Sequence, residues 1–179
     1  MISRKYLKDY RIDEQIDRSG HVKSQAVYIG VAYTFSPPIP VNVKRLILCF
    51  SALSGVSFFG ALVPVTNVAR ISYVMLPFII SVIPVYMMVR ASIALLRAND
   101  AMERIEAEKI TNRLPACPLI AAILAGAAFL GFIISAALSG KRFVTGDVIF
   151  GALMLVLSFA SAVVFAKSRK IKIITRSTC

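Results

Sequence analysis

Residues 117–138 read CPLIAAILAGAAFLGFIISAAL and contain no Asp, Glu, Lys, Arg or His. A helix rises about 1.5 Å per residue, so about 20 apolar residues are enough to cross a hydrocarbon core of roughly 30 Å. A helix in the core of a soluble protein is seldom this long without a charge. The run therefore predicts a helix that spans a membrane.

Three further runs, at 46–65, 71–89 and 148–166, also lack charged residues and histidine. Hydrophobic residues make up 58% of the 179-residue chain and charged residues 17%, with a mean hydropathy of +0.75. A soluble domain is about 45–50% apolar and about 25% charged. This composition excludes a soluble globule and a disordered chain. Because the runs also lack the period-two alternation of barrel strands, we predict an all-α integral membrane protein with four transmembrane helices.

The positive charges are distributed unevenly about these runs. Of the 21 Lys and Arg residues, 18 lie in segments 1–45, 90–114 and 167–179, and 3 lie in the two remaining connections. The positive-inside rule assigns the rich side to the cytoplasm. We therefore expect a protein of a bacterial-type plasma membrane. Both of its termini, including the basic tail 167–179, are expected in the cytoplasm. The first run lies too far from the N-terminus for a cleavable signal peptide and is expected to direct insertion itself.

The net charge of +12 would favour a nucleic-acid partner in a soluble protein. Nucleic-acid binding needs basic residues gathered on one face and interleaved with exposed aromatic side chains. Here the basic residues flank the predicted spans instead. The expected partner is therefore the bilayer, whose anionic inner leaflet attracts each nearby Lys or Arg by about 1 kcal/mol, and no nucleic acid is expected.

Residues 1–45 predict a short cytoplasmic segment with a β-hairpin over 9–35. The sequence DRSG at 17–20 is typical of a turn. Apolar and polar residues alternate before it, and β-branched and aromatic residues are frequent after it. A helix over 2–17 followed by a strand is the alternative. The proline-rich stretch 36–40 then predicts a stiff, extended linker.

The connection 90–114 contains no Pro or Gly and is rich in helix-forming residues. It predicts a cytoplasmic helical loop that continues the second span as one long helix and ends near Pro115. A solvated connector is favoured by its charge pattern. The alternative is a docking surface for a protein partner, and its candidate residues are Met102, Ile105 and Ile110.

Small residues recur at helical spacing in the first and third runs, and such faces let helices approach closely. Packing inside the four-helix domain 46–166 is favoured over contact with a second copy, so a homo-oligomer stays open. The helix-packing candidates are Ser51, Gly55, Gly126, Gly131, Ser135 and Ser139.

Pro77 and Pro84 lie on roughly one face of the second run. Each removes a backbone hydrogen bond, so both are candidates for a helix kink. The sequences VTNV at 65–68 and VTGDV at 144–148 are typical of helix starts. In the second of these, Asp147 can accept a hydrogen bond from a free backbone N–H group.

Residues suited to catalysis are missing from the pattern. No ionisable residue lies in the middle of any predicted span, which counts against ion coupling because pumps and carriers place such residues near the midplane. The single histidine, His21, has no HExxH pattern or ligand cluster around it. No phosphate-binding glycine loop occurs, and the serines in the spans have no histidine to activate them. We therefore predict no catalytic, cofactor-binding or metal-binding residues and no enzymatic activity.

The leading functional prediction is a non-catalytic accessory or scaffold subunit of a membrane complex. It would bind a protein partner through its N-terminal segment and residues 97–114. The first alternative is a small transporter or channel for a neutral or apolar solute, which predicts a polar cavity between the helices. The second is a membrane-embedded enzyme, which would require titratable residues clustered at one membrane depth.

Overall fold

The computed structural model describes residues 9–16, 22–63, 71–98, 102–139 and 144–175. These residues are mostly helical. A π-helical turn at Lys109–Arg113 joins the fourth and fifth helices. The α-helices are α1 Val41–Gly60, α2 Ser72–Ile80, α3 Val82–Arg97, α4 Arg104–Glu108, α5 Leu114–Ser139 and α6 Thr145–Ser168.

Four helical stretches are long and apolar enough to cross a membrane: Val41–Gly60, Ser72–Arg97, Arg104–Ser135 and Thr145–Ser168. The prediction of four spans is therefore confirmed, and the helices extend beyond several of the predicted limits. Large apolar side chains cover the outside of the bundle, as with Val56, which is 69% exposed, and other side chains of α1, α2, α3, α5 and α6. A surface of this kind suits lipid rather than water. The chain is an integral membrane protein.

The spans form a closed ring. Helix α1 packs against α3 and α6, while α5 packs against α6 and against both α2 and α3. Each span thus has two neighbours, and their inner faces enclose two apolar clusters. The far-end cluster is built around Phe58, Phe78, Phe150 and Met154. The basic-end cluster is built around Phe35, Ile47, Met88, Leu95, Met102, Ile110 and Leu114.

We use "basic end" for the end of the bundle that carries the described parts of residues 9–45, 90–113 and 167–175. Four strands lie there or next to it: β1 Tyr10–Ile16, β2 Val22–Tyr28, β3 Tyr33–Phe35 and β4 Ile173–Thr175. Strands β1 and β2 pair antiparallel, as do β3 and β4. The predicted turn at 17–20 lies outside the described residues. Because residues 10–16 form a strand, the alternative helix over 2–17 is not present there.

The connection between the second and third spans differs from its prediction. Helix α3 ends at Arg97, and Ala98 is extended with φ −63° and ψ 119°. The predicted single long helix is therefore wrong. Nor does the helix stop near Pro115, because α4, the π-helical turn and α5 follow one another without a break. Pro115 has no backbone N–H group to donate. It lies in the first turn of α5, directly after the π-helical turn, where the hydrogen-bonding pattern differs from that of an α-helix.

The second span is interrupted at Ser81, between Pro77 and Pro84. Proline at position 84 has no N–H group for the carbonyl of Ile80, four residues earlier. The Ser81 hydroxyl donates to the Phe78 carbonyl at 2.6 Å. The interruption thus lies where the two prolines weaken the backbone ladder.

The start of α6 agrees with its predicted cap. The backbone N–H of Val144 donates to the carboxylate of Asp147 at 3.2 Å. The other predicted start, at 65–68, lies outside the described residues.

Candidate functional site

Backbone hydrogen bonds join distant parts of the chain at the basic end. Tyr33 and Met102 exchange two of them: the Tyr33 N–H donates at 3.0 Å and the Met102 N–H at 2.9 Å. In the adjoining β3–β4 pair, Phe35 lies opposite Ile173. The N-terminal segment, the connection after α3 and the C-terminal segment therefore form one assembled lobe.

Lys44 ties the start of α1 to the end of α3. Its ammonium group donates to the Ala98 carbonyl at 2.8 Å and lies 5.0 Å from the centre of the Phe35 ring. Ala98 directly follows the last residue of α3, where backbone carbonyls lack partners within the helix. A lysine near a helix C-terminus also interacts favourably with the helix dipole. The side chain thus satisfies a helix end and packs on the apolar cluster below it.

Arg104 joins the end of β2 to α4. Its backbone N–H donates to the Tyr28 hydroxyl at 3.1 Å. Its guanidinium lies 3.2 Å from Glu108 and 3.7 Å from Asp9. The Asp9 carbonyl in turn accepts a hydrogen bond from the Ile29 N–H at 2.9 Å. These contacts hold the paired strands against the connection between the second and third spans.

The docking candidates of the sequence analysis are mainly interior residues. Met102 is 2% exposed and Ile110 is 1% exposed, and both belong to the basic-end cluster. Ile105 is half-buried. The interpretation of Met102 and Ile110 as a docking surface does not fit this burial and is corrected here. Strands β3 and β4 contribute Phe35 and Ile173 to the same cluster, so this apolar face is covered by the chain itself.

Buried serine hydroxyls link the helices between the two apolar clusters. The oxygens of Ser51 and Ser92 are 2.7 Å apart, joining α1 to α3. The oxygens of Ser54 and Ser161 are 3.3 Å apart, joining α1 to α6. Hydroxyls in direct contact leave no solute-sized gap between α1 and α3 at this level. Sequence reasoning assigned Ser51 to packing and missed Ser92 and Ser161, although the spacing of Ser51, Ser54 and Ser57 marks one face of α1.

The small-residue candidates differ in how closely they are packed. A Cβ placed on Gly131 would lie 3.1 Å from Val74 of α2, whereas one on Gly55 would lie 3.8 Å from Val89 of α3. Gly126 has similar room beside Ser158. Each of these contacts joins two helices of the chain.

Two further positions complete that comparison. Ser135 is buried, and the side chain of Ser139 lies outside the described residues. Gly151, which sequence reasoning missed, is the most restricted of these glycines, because a Cβ there would lie 2.6 Å from Phe132. The close approach of α5 and α6 depends on this glycine.

A basic pocket of about 240 Å³ lies between α3 and the segment that precedes α5. Arg90 and Arg97 reach it from α3, while Lys109 and Arg113 reach it from the π-helical turn. Glu106 is the single acidic residue in its lining. The sequence analysis used these four cations to assign orientation and to predict attraction to the anionic leaflet, but it could not bring the two segments together.

An apolar groove of about 710 Å³ runs between α1 and α3. Val56 and Phe59 line it on one side, and Tyr86 and Val89 line it on the other. Its floor includes Gly55, whose missing side chain leaves room between the helices. The groove is lined almost wholly by apolar groups, which suits a hydrocarbon chain.

Among the described residues, no three or more His, Cys, Asp or Glu side chains come together as a metal site would require. Comparison with protein-family models, curated proteins and solved structures finds no match to this chain. The fold and the contacts define a four-span integral membrane protein whose basic end is an assembled lobe.

Proposed function

We propose that this protein is a non-catalytic accessory or scaffold subunit of a membrane complex and that its basic end holds a protein partner in the cytoplasm. The observation that supports this most is the pairing of Tyr33 with Met102 and of β3 with β4, which orders three distant segments into one lobe. A surface held in place by backbone pairing suits recognition of another protein, because less conformational entropy is lost on binding.

We place the partner surface beside the paired strands rather than on the buried residues 102 and 110. Val27 is 40% exposed, Ile29 61% and Val31 54%. These apolar side chains lie next to Tyr28, which contacts Arg104 of α4. Exposed apolar groups beside a polar network are typical of protein interfaces.

The cytoplasmic placement follows from the distribution of charge, with 18 of 21 Lys and Arg residues on the side of the termini. Replacing the three cysteines by serine and adding either Lys172→Cys or Val63→Cys gives a direct test. A membrane-impermeant maleimide applied to intact cells should label only the Val63→Cys protein. If only the Lys172→Cys protein were labelled, the orientation would be the opposite of the one proposed.

The scaffold role is tested by purification from native membranes in mild detergent. The wild-type chain should carry one protein at a fixed stoichiometry, and the double variant Val27→Ser/Ile29→Ser should lose it. Ile174→Ser is the matched control, since Ile174 is also an exposed apolar residue at the basic end. Recovery of the chain alone, together with intrinsic transport in liposomes, would refute the proposal.

A transporter of apolar solutes is the second candidate, and the groove between α1 and α3 is the observation that favours it. Its walls suit an apolar molecule entering from the lipid. The contact between Ser51 and Ser92 weighs against passage through the interior at that level. In liposomes, this alternative requires uptake that Gly55→Leu, which fills the groove, abolishes.

A further inference from the structure

The basic pocket gathers positive charge from two chain segments at one concave site. Arg90 and Arg97 are seven residues apart on α3, so they cover about 10 Å of depth along the helix. Lys109 and Arg113 face them from the π-helical turn, four residues apart on one face. Scattered cations at a membrane boundary would each point to water, whereas these line the same cavity.

The charge in this pocket is not neutralised by the described parts of the chain. Glu106 supplies one carboxylate against four cations. Arg104, whose guanidinium forms ion pairs with Asp9 and Glu108, does not line the pocket. Arg113 is further fixed by a contact of 3.6 Å between its guanidinium and the sulfur of Met87. The site therefore presents several N–H donors and a net positive charge to an anion, and guanidinium groups match phosphate oxygens in geometry.

Arg90 connects this pocket to the apolar groove. Its guanidinium donates to the Tyr86 hydroxyl at 3.4 Å and lies 5.7 Å from the centre of the Tyr86 ring. Arg90 lines the pocket, and Tyr86 lines the groove. From Arg90 the groove runs along α3 towards Val82, away from the basic end. The contact between Arg90 and Tyr86 therefore places the charged pocket next to the apolar groove, which extends to greater depth along α3.

We propose that the pocket binds the phosphate of an anionic phospholipid and that one acyl chain of the same lipid lies in the groove between α1 and α3. The phosphate contacts Arg90, Lys109 and Arg113, while the chain contacts Phe59 and Tyr86. A free inorganic anion would use the pocket alone, so the groove is what identifies a lipid as the ligand. The site requires only that the protein is embedded in a bilayer, and it stands whether or not the protein is a scaffold.

The headgroup contact is tested by replacing two of the cations. The purified full chain in neutral detergent is titrated with phosphatidylglycerol or phosphatidylcholine, and bound lipid is counted by native mass spectrometry. The wild-type protein should prefer phosphatidylglycerol by about 10-fold or more, since each basic residue contributes to attraction of anionic lipid. Lys109→Gln/Arg113→Gln should lose most of this preference, because its affinity for phosphatidylglycerol should fall much further than its affinity for phosphatidylcholine.

The matched control is Arg169→Gln/Lys170→Gln, which removes the same charge from two exposed residues at the same end of the bundle. Its preference should stay within about twofold of wild type. Equal losses in the two double variants would mean that only general charge attraction is at work, and the proposal would fail. Melting temperatures measured without lipid establish that both variants are folded.

The acyl-chain contact has its own test. Gly55→Leu places a side chain in the groove and should weaken binding of long-chain phosphatidylglycerol by at least about threefold. Leu130→Phe, on an exposed face of α5, is the control and should have no effect. If Gly55→Leu disturbs the fold, Val56→Phe on the exposed rim replaces it. Unchanged affinity in the folded groove variant would overturn the proposed lipid pose.

Inorganic phosphate and glycerophosphoglycerol separate a lipid from a soluble anion. Neither should displace phosphatidylglycerol at millimolar concentration, because neither fills the groove. If either compound, at millimolar concentration, displaces phosphatidylglycerol from the protein, the pocket is a free-phosphate site and the lipid assignment is overturned.

Discussion

At the far end of the bundle, the ring of Phe78 stacks on Phe58 at 4.8 Å and meets Phe150 edge-on at 5.5 Å. At the basic end, Tyr33 and Met102 are joined by hydrogen bonds. The far end is held by ring contacts between helices. Lipid solvates apolar side chains as well as the protein interior does, so helix association there depends on close packing and not on the hydrophobic effect. The basic end adds backbone pairing, which leaves fewer polar groups to be satisfied by water.

The two kinds of contact are effective in different environments. Inside the membrane, shape complementarity selects the helix neighbours, and a missing contact leaves a cavity. At the boundary, segments from both termini must be brought together, and strand pairing fixes their register. Substitutions at the two ends should therefore differ in how much they lower the free energy of unfolding and in how far their effects extend through the bundle.

The largest effect is expected for Phe78→Ala. Removing the ring opens a cavity between Phe58 and Phe150 and should lower the free energy of unfolding by about 3 kcal/mol. Unfolding in detergent, followed by circular dichroism during titration with sodium dodecyl sulfate, measures this change. Phe59→Ala is the control, because that ring is 64% exposed on the outside of the bundle. Equal losses in the two variants would contradict the view that packing inside the ring holds the far end.

Lys44→Met should have an intermediate and more local effect. It keeps the aliphatic chain but removes the hydrogen bond to Ala98 and the charge over Phe35, together about 1–2 kcal/mol. Hydrogen exchange at the amides of Tyr33 and Met102 should become faster, while exchange in the far-end helices should not change. Arg45→Met, at an exposed neighbouring position, should leave both regions as they are. Faster exchange throughout the bundle would show that the two ends are not independent.

The smallest effect is expected inside the bundle, between Ser51 and Ser92. Each hydroxyl also lies near a carbonyl of its own helix, at 2.8 Å for Ile47 and 2.9 Å for Met88. Either serine can therefore lose its partner and keep a hydrogen bond. A double-mutant cycle with Ser51→Ala and Ser92→Ala should give a coupling energy of about 0.6 kcal/mol, the average for such pairs in membrane proteins.

The control cycle combines Ser51→Ala with Ser158→Ala. Ser158 donates to the Ala122 carbonyl at 3.1 Å and should show no coupling with Ser51. A coupling above about 2 kcal/mol in the first cycle would exceed what hydroxyls with alternative acceptors allow.

The four spans were predictable because length and apolar character are properties of a continuous stretch of chain. The ends of the helices were less predictable than the spans themselves. Helix α1 begins at Val41 and α3 ends at Arg97, because polar residues can continue a helix beyond the hydrocarbon core. The break at Ala98 depends on partners that the local sequence does not reveal. Helix propensity alone therefore predicted one continuous helix through it.

The contacts of the lobe could not be read from the sequence for a related reason. Three-residue strands such as β3 and β4 carry almost no local signal, and each finds its partner near the other terminus of the chain. Met102 and Ile110 looked like an apolar surface because the segments that cover them are distant in sequence. The cations of the pocket were counted correctly, but their convergence is a property of the folded chain.

The pairing of β3 with β4 sets an order of events during biosynthesis. Tyr33 leaves the ribosome before the first span is made, whereas Ile173 follows the last one. Strand β3, which contains Phe35, therefore stays without its partner strand β4 until all four spans have been made. The lobe is therefore completed only after the four spans have been made, and a chaperone or a partner protein could shield the exposed strand until then.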